Sequence, residues 1–428
     1  MIKSKNFISR HKKFISSFIR NRKLNFSTVL TLIFRKSSKS LQLVLNEFSL
    51  LHDKFITITS SAYCQARKKF LHTAFIELND FLLSDHDQII DVKTWHGYRC
   101  IAFDASQIIL PNEDEVKSEY GSIIIKNHKL KTEDNRHYSS AMFECGYDVL
   151  NNIIVSSRLA HNKSYEVDLA IDMLNDLSSN SNELLIYDRH YASYKMIASL
   201  VKCKKNFIIR LPSNSFKVSQ SMFKGLGSWS KEVTIFVPSD KSKEISSLNL
   251  AHTVKVRLVR VKLKTGSYEV LVTSLRDSTL TRNDFKMLYG LRWGIETFFG
   301  TIKGRLSLEN FTGKSLESVK QDFYSTIFLC NLESIITHDI KDDLNTVHKY
   351  SNISINKAIS FNAIKNVAFD LIKKGSNEAN LDKTFEKLRR LFLTNIYIKR
   401  HQKNVPKRKV TSPRVSLNYQ KRIKKNVF

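Results

Sequence analysis

Apolar positions recur along the chain with two different periods, and the change of period separates helical from strand-rich stretches. In residues 59–83 apolar side chains recur every four positions, which predicts one helix with a single buried stripe. The stripe consists of Phe70, Ala74, Leu78 and Leu82. Ser60 and Ser61 stand at its start as predicted N-caps.

From about Gly97 the period becomes that of strands. Runs rich in apolar and β-branched residues predict strands over 99–104, 139–150, 151–160, 183–188 and 207–211. Helices are predicted over 165–177 and 194–202. Strands followed by alternating helices and strands favour a mixed sheet with flanking helices, which is an α/β fold.

Between about residues 212 and 282 the chain becomes richer in Ser, Gly and Lys. Strands are predicted there over 232–237, 254–263 and 268–275, the last two joined by a hairpin turn. The apolar alternation shifts phase after Leu258, which predicts a β-bulge. We interpret 212–282 as a mostly β insertion, after which helical patterning continues to about Tyr397.

The net charge of the chain indicates a binding partner, whereas the periodicity indicates a fold. The 428 residues carry 69 Lys and Arg against 40 Asp and Glu, a net charge of +29, and 42% of them are hydrophobic. This composition supplies a buried core and excludes a small disulfide module or an acidic disordered protein. A surplus of this size gathers polyanions, so nucleic acid is the first partner to consider, and a merely soluble basic protein is the alternative.

Both ends of the chain are basic. No acidic residue precedes Glu47, and residues 399–428 contain many Lys and Arg but no acid. This tail is either a solvated segment or a phosphate-contacting one. The five cysteines show no Cys-x-x-Cys pair and indicate neither a disulfide framework nor a zinc site. No run of 18 apolar residues occurs, so we expect a cytoplasmic protein without a membrane partner.

The segment 289–306 carries the most specific pattern. Read as one helix at about 100° per residue, it places four polar side chains within a sector of about 60°. They are Tyr289, Arg292, Glu296 and Lys303, and the apolar residues Leu291, Ile295, Phe298 and Ile302 lie opposite. Gly300 and Gly304 border the polar face, where missing side chains would let a bulky ligand approach. The alternative is a surface helix stabilised by an Arg292–Glu296 pair.

A phosphodiester suits this face. Arg292 can bind a phosphate through two parallel hydrogen bonds, Lys303 adds a point charge, and Tyr289 can donate or stack. Glu296 can hold a divalent metal, but one carboxylate cannot hold two ions. Asp104 and Asp188 each end a predicted strand and are the candidate partners, although a lone Asp in this position is more often a cap or turn residue.

These residues resemble the DDE transposases of bacterial insertion sequences, in the large family marked by a Tyr-x2-Arg-x3-Glu-x6-Lys signature (IS-four type). Tyr289, Arg292, Glu296 and Lys303 match that spacing without gaps. The segment 188–191, Asp-Arg-His-Tyr, resembles the family's Asp-Arg-Gly-Tyr, with His190 in place of Gly. The segment 65–70, QARKKF, is similar to the family's amino-terminal pattern.

The resemblance implies a ribonuclease-H-like mixed sheet with flanking helices, interrupted by the β insertion. The expected domains are a basic helical DNA-binding domain at 1–95, a catalytic core at 96–345 and a helical region with a basic tail at 346–428. Catalysis would rest on Asp104, Asp188 and Glu296, which would hold two Mg²⁺ ions, with Mn²⁺ as an alternative. Tyr289, Arg292 and Lys303 would bind DNA phosphates, and Trp293 would stack on a displaced base or simply pack.

The resemblance also implies a function. It is metal-dependent cut-and-paste transposition, with end cleavage by hydrolysis, a hairpin intermediate and strand transfer. The expected partners are double-stranded DNA, as terminal inverted repeats and target, and a second copy of the chain in a synaptic complex, without ATP. The expected location is the bacterial nucleoid.

Three other readings stay open or are excluded. Gly313-Lys314-Ser315 resembles the end of a P-loop, but Leu308 stands where the earlier Gly is required. A related nuclease would use the same metals without strand transfer. A non-catalytic basic DNA-binding protein, or an inactive transposase remnant, explains the charge but not the alignment of Glu296 with Arg292 and Lys303.

Overall fold

The computed structural model describes residues 1–398 except 21, 38, 52–56, 85–90, 126–135, 178–181, 264, 341–343, 345–352 and 375–377. The predicted basic tail at 399–428 therefore lies outside the described residues. The chain forms two units. The first contains Met1–Asp91, Ile108–Ala141 and the described residues from Gly300 onward, and the second contains Val92–Gln107 and Met142–Phe299. The predicted domains 1–95, 96–345 and 346–428 stay a prediction.

The first unit is mainly helical. Its helices are α1 (Lys5–Arg10), α2 (Phe26–Phe34), α3 (Leu41–Leu51), α4 (Ser60–Arg67), α5 (Thr73–Ser84), α6 (Asp114–Tyr120), α13 (Leu316–Ile336), α14 (Lys357–Lys374) and α15 (Glu378–Thr394). Its short strands are β2 (Ser122–Ile125), β10 (Ile353–Ile355) and β11 (Ile396–Ile398). Strand β2 pairs antiparallel with residues 136–139, and β10 pairs antiparallel with β11.

The single helix predicted over 59–83 is wrong. The chain forms α4 and α5, separated by a break at residues 68–72, and the side chain that caps α4 belongs to Thr59 rather than to Ser60 or Ser61. At the break Phe70, which is fully buried, pairs with Lys12 in an isolated β-bridge. The periodicity predicted burial correctly at Phe70, Ala74 and Leu78. It does not reveal the break between α4 and α5, because the same face of the chain stays buried across the break.

Arg67, in the segment that resembles the family's amino-terminal pattern, has a structural task in this unit. Its guanidinium is buried and donates to the Asp322 carboxylate at 2.8 Å and to Gln321 Oε1 at 2.7 Å, both on α13. It also donates to the Thr312 hydroxyl at 2.7 Å. A buried ion pair with this many hydrogen bonds holds α4 against α13 in one geometry.

The second unit is built on a mixed sheet, as predicted. Its strands are β1 (Arg99–Ile109), β3 (Arg136–Asp148), β4 (Ile153–His161), β5 (Glu183–Tyr187), β6 (Asn206–Arg210), β7 (Ser230–Phe236), β8 (Thr253–Lys262) and β9 (Tyr268–Thr273). Its helices are α7 (Glu166–Met173), α8 (Tyr194–Lys202), α9 (Gln220–Phe223), α10 (Ser242–Ser247), α11 (Arg282–Gly290) and the first residues of α12 (Trp293–Gly304). Strands β1 and β3 and helix α12 also contain residues of the first unit.

Strand order follows from the pairings. Strands β1, β5 and β6 are neighbours and parallel, β3 lies beside β1, and β4 pairs with β3. The turn between β3 and β4 contains Asn152 in the left-handed backbone region, with φ 60°. The interior of β5 is apolar and fully buried, as a strand with helices on both faces requires.

The predicted β insertion extends this sheet. Strand β9 pairs antiparallel with β6, β8 with β9, and β7 with β8. The predicted bulge after Leu258 is wrong, because β8 keeps an unbroken register with both neighbours through that residue. A central strand buried on both faces carries apolar residues in both phases, which imitates a shift of alternation.

The core of this unit forms where helices cover the sheet. Phe103 of β1 stacks on Tyr187 of β5 with ring centroids 5.0 Å apart. Gly146 of β3 is required beside them, because a Cβ there would lie 2.8 Å from the Phe103 ring. These contacts hold β3, β1 and β5 together just before the residues Asp104 and Asp188. Among the described residues no helix combines the length and apolar character needed to cross a bilayer.

Candidate active site

Asp104 and Asp188 lie at the same level of two adjacent parallel strands. The register of β1 and β5 pairs Ala102 with Ile186, and each aspartate stands two residues further along its strand. The prediction that Asp104 ends its strand is wrong, because β1 continues to Ile109. Asp188 does follow the last residue of β5, as predicted. The parallel pairing therefore brings together two acids that are 84 positions apart in sequence.

The Asp188 carboxylate is fixed by the turn that follows it. Its Oδ1 accepts a hydrogen bond from the backbone N–H of His190 at 2.7 Å, so Asp188 caps a 3₁₀ turn over Arg189–Tyr191. Its Oδ2 lies 3.0 Å from Nδ1 of the exposed His190 ring. The histidine that replaces the glycine of the resembled motif thus contacts the carboxylate directly.

Negative charge accumulates around Asp104. Burial and the nearby charge of Asp188 raise the pKa of Asp104 to about 6, against the opposing charge of Arg292. The Asp104 side chain is 23% exposed, so solvent can still reach it. The charge of Asp188 therefore lies close enough to Asp104 to oppose its ionisation.

Arg292 connects this pair to Glu296. Its Nη2 donates to Glu296 Oε1 at 2.5 Å, and its Nη1 lies 3.9 Å from Asp104 Oδ2. Burial lowers the pKa of Arg292, but the hydrogen bond to Glu296 and the charges of Tyr289, Glu296 and Asp104 together raise it. The guanidinium therefore stays charged and bridges two of the three predicted catalytic acids.

The prediction of one continuous helix over 289–306 is wrong. Helix α11 ends at Gly290 and α12 begins at Trp293. Between them the backbone tightens into i→i+3 hydrogen bonds, from Arg292 N to Tyr289 O and from Ile295 N to Arg292 O. Tyr289 therefore belongs to a different helix from Glu296. The predicted apolar stripe on α12 is confirmed at Ile295, Phe298 and Ile302, which are buried.

Tyr289 is close to the acids but is not exposed with them. Its residue is 8% exposed, and burial raises the pKa of the phenol, while Arg292 and Arg210 lower it and Asp188 raises it. The phenol is therefore neutral and keeps its proton as a donor. Trp293 is 61% exposed, and its ring lies 5.2 Å from the guanidinium carbon of Arg292.

Lys303 belongs to the first unit, whereas the other six predicted site residues belong to the second. Burial lowers its pKa, and the charge of Glu309 raises it. Glu309 in turn accepts a hydrogen bond from the Ile109 backbone at 3.0 Å. A Cβ at Gly300 or Gly304 would meet no atom within 4 Å, which agrees with the open face predicted beside these glycines.

Sequence reasoning missed two further acids near the aspartates. Glu144 of β3 is fully buried, and its Oε1 accepts a hydrogen bond from the Tyr191 hydroxyl at 2.8 Å. Burial raises the pKa of Glu144 far above its usual value, opposed by the Tyr191 hydrogen bond and assisted by the charges of Glu166, Asp104 and Asp188. Burial therefore favours the protonated form of this carboxyl.

Glu166, at the start of α7, completes the acidic surroundings. Burial raises its pKa, the charge of His190 lowers it, and the charge of Asp188 raises it. The sequence signal for Glu144 was a charged residue inside a predicted strand, next to the buried Phe143. Among the described residues no group of three or more His, Cys, Asp or Glu side chains is arranged as a ready metal site.

Residues 95–332 match the family described as "Transposase DDE domain". Among solved structures the chain is similar to a piggyBac transposase synaptic complex with hairpin DNA, determined by cryo-EM, with 12% identity and a TM-score of 0.44 over 96% of this chain and 86% of that chain. No curated protein matches the chain significantly.

Proposed function

The chain belongs to the transposases that carry a DDE domain, and from this premise we propose that it performs cut-and-paste transposition of a bacterial insertion sequence. One observation carries the proposal. The register of β1 and β5 sets Asp104 beside Asp188, and Arg292 joins Asp104 to Glu296. These contacts bring together three acids that are distant in sequence. Asp104 and Glu296 both contact Arg292, and Asp188 lies beside Asp104.

We propose that Asp104, Asp188 and Glu296 hold two Mg²⁺ ions, with Mn²⁺ as an alternative. The donor set fits, because carboxylate oxygens are the ligands that these hard cations prefer. The raised pKa of Asp104 also fits, since it reports negative charge that Arg292 only partly offsets. When bound, the ions would activate a water molecule and stabilise the leaving 3′ oxygen.

In this proposal Arg292 has one role in the protein without DNA and another when DNA is bound. Without DNA its guanidinium neutralises Asp104 and Glu296 and keeps their carboxylates from repelling each other. It binds Oε1 of Glu296, a side chain that is 39% exposed, which leaves Oε2 for another partner. The Arg292 Nε atom is buried and has no hydrogen-bond partner among the described residues, so it remains a donor for a phosphate oxygen.

The remaining signature residues would position DNA. Tyr289 would donate its phenol hydrogen to a phosphate oxygen, and Lys303 would add a positive charge further along α12. Trp293 would stack on a displaced base, which its exposure of 61% permits. Open space beside Gly300 and Gly304 would admit the backbone of the DNA.

The chemical steps balance without an energy source. In the first step a water oxygen bonds to phosphorus, the bond from phosphorus to the 3′ oxygen breaks, and the proton of the water passes through solvent to that oxygen. The freed 3′-hydroxyl then attacks phosphorus in the opposite strand. This closes a hairpin, breaks the bond from that phosphorus to the flanking 3′ oxygen and releases the flanking DNA with a 3′-hydroxyl, which takes the proton of the attacking group. A second hydrolysis reopens the hairpin. The 3′-hydroxyl of the element then attacks phosphorus in target DNA, where the bond to the 3′ oxygen breaks and leaves a 3′-hydroxyl on the target. Each step exchanges one phosphodiester for another or for water, so ATP is not needed.

The strand order supports a ribonuclease-H-like core for this chemistry. The hairpin β3–β4, then β1, and then the parallel strands β5 and β6 form such a sheet, with acids on β1 and directly after β5. The proposed partners are terminal inverted repeats, target DNA and a second copy of the chain in a synaptic complex. The net charge of +29 supports association with the bacterial nucleoid.

A second candidate is an inactive transposase remnant or a non-catalytic DNA-binding protein. The contact of His190 with Asp188 Oδ2 at 3.0 Å favours it, because the imidazole occupies a carboxylate oxygen that a metal would need. Both candidates bind DNA, so binding alone does not separate them.

The experiment uses DNA that flanks the reading frame, labelled at its ends, with the full chain and Mg²⁺. We expect cleavage and joining to a second duplex with the natural chain, and a loss of at least about 100-fold with Glu296→Gln while DNA binding persists. Glu232→Gln, which removes an exposed acid of β7, is the matched control. Metal-dependent cleavage without joining would indicate a nuclease, and the absence of metal-dependent products would indicate the remnant.

A further inference from the structure

A cationic cleft lies in the first unit. It has a volume of about 540 Å³ and is formed by three segments, 35–51, 305–310 and 358–366. The basic residues that line it are Arg35, Lys36, Lys39, Arg305 and Lys365. Glu47 is the one acid among its described lining residues. We name it the α2–α14 cleft, after the helix that Arg35 directly follows and the helix that contains Lys365.

Arg35 is a buried cation of the α2–α14 cleft. It follows the last residue of α2, is 7% exposed, and lies with its guanidinium carbon 6.0 Å from the Phe48 ring centroid. Its Nη1 atom is buried and has no hydrogen-bond partner among the described residues. Burial lowers the pKa of Arg35, opposed by the charge of Glu47. A buried guanidinium with an unused donor is costly unless an anion binds it.

Two lysines extend the positive charge. Lys365 Nζ donates to the Lys36 carbonyl at 2.6 Å, and Lys36 Nζ donates to the Leu308 carbonyl at 2.8 Å. Burial and the charges of Lys36 and Arg35 lower the pKa of Lys365 to about 8, against the opposing charges of Cys330 and Asp322. The carbonyl group that accepts from Lys365 orients its ammonium group but carries no neutralising charge.

Glu47 does not balance the cluster either. Its Oε1 lies 2.5 Å from Nζ of Lys39, so this acid is already paired on the rim. Arg35 and Lys365 are therefore neighbouring cations to which the described lining residues supply no hydrogen-bonded carboxylate. The ligand that offsets such a group is a compact anion with several acceptor oxygens.

We propose that the α2–α14 cleft binds a phosphate group, with Arg35 and Lys365 as its ligands. The phosphate belongs to the backbone of DNA or to a free phosphate ion, and the assignment to DNA rests on the proposed function. A backbone phosphate held here would anchor DNA to the first unit.

The first test measures the reactivity of single lysines in the full chain by reductive methylation at pH 7.5 in EDTA, with peptide mass spectrometry. A generic 20-base-pair duplex and inorganic phosphate are the two probes. We expect the duplex to slow methylation of Lys365 at least about fivefold, while Lys387 on the exposed face of α15 keeps its rate. Protection by inorganic phosphate alone would keep the phosphate site and overturn DNA as its source. Protection by neither probe would overturn the site.

The second test compares Arg35→Met and Lys365→Met with Lys387→Met, which removes the same charge outside the cleft. Each cleft variant should bind the duplex about 10-fold more weakly and lower the salt slope of log Kd by about 0.9, whereas Lys387→Met should do neither. Thermal unfolding checks that each variant is folded, and if Arg35→Met is not, Lys365→Met decides. Equal affinity and slope in folded variants and control would overturn the proposal.

The proposed function and the proposed phosphate site can be refuted independently of each other. EDTA removes the divalent cations, so strand chemistry plays no part in either measurement, and Glu296→Gln should bind as the natural chain does. Lysine protection without metal-dependent cleavage would refute the proposed function and leave the cleft intact. Metal-dependent cleavage without lysine protection would refute the phosphate site and leave the proposed function intact.

Discussion

The hydroxyl of Tyr191 donates a hydrogen bond of 2.8 Å to Oε1 of the fully buried Glu144. This bond ties the turn after Asp188 to the interior of β3. It also explains the Tyr at the end of the segment 188–191, which anchors the turn and does not itself reach solvent.

Glu144→Gln should therefore be nearly neutral, because burial favours the uncharged form of this carboxyl and an amide of the same shape still accepts from Tyr191. Glu144→Ala should lower the free energy of unfolding by about 2–4 kcal/mol, since it leaves a cavity and an unpaired buried hydroxyl. Urea unfolding at pH 7 measures both variants. If Glu144→Gln were as destabilising as Glu144→Ala, the carboxyl would be ionised in the folded chain.

Lys365 predicts a dependence of stability on pH. Its pKa is lowered from 10.5 in the unfolded chain to about 8 in the folded one. Between these values the unfolded chain binds more protons, so the free energy of unfolding rises with pH. Because the side chain is partly exposed, we expect a gain of about 2 kcal/mol at most from pH 8 to 10.5.

The comparison with Lys365→Met isolates that gain from other titrating groups. The natural chain should become more stable relative to the variant across this range. A difference between the two that stays constant with pH would show that Lys365 titrates normally. Inorganic phosphate at pH 7.5 should stabilise the natural chain and leave the variant unchanged if the cleft binds phosphate.

His190 should compete with metal at Asp188. Its Nδ1 lies 3.0 Å from Asp188 Oδ2, and its backbone has no left-handed φ that would require glycine. His190→Ala should therefore lower the Mg²⁺ concentration for half-maximal cleavage about threefold to tenfold. His161→Ala, at an exposed position of the same unit, is the control. An increase in the required Mg²⁺ would instead make His190 a supporting residue.

Arg292 should not be replaceable by lysine. One guanidinium reaches Glu296 at 2.5 Å and Asp104 at 3.9 Å, and a single ammonium cannot serve both acids in that geometry. We expect Arg292→Lys to reduce the rate of DNA end cleavage about 100-fold at saturating DNA. Single-turnover cleavage measures this rate. A loss confined to DNA affinity would place Arg292 in binding only.

The sequence predicted the parts of the fold that depend on local periodicity. Asp188 could be placed correctly because the strand before it is short, apolar and buried on both sides. Asp104 was placed at a strand end because the alternation after it weakens, yet β1 continues to Ile109. Strand pairing beyond Asp104 depends on neighbours that a single strand's pattern does not reveal.

The helix break before Trp293 could not be predicted from the sequence, for a different reason. A helical wheel assumes 100° for every residue, and the i→i+3 hydrogen bonds around Arg292 violate that assumption. Glu144 was missed because a protonated, buried acid is indistinguishable in sequence from a solvated one. Its role depends on Tyr191, 47 positions away.

Binding of Mn²⁺ to the full chain, followed by electron paramagnetic resonance of the free ion, tests the central claim most directly. The account predicts binding that Asp104→Asn, Asp188→Asn and Glu296→Gln each weaken at least about 10-fold and that Glu232→Gln does not change. Unchanged binding in all three variants, or none by the natural chain with DNA present, would contradict it.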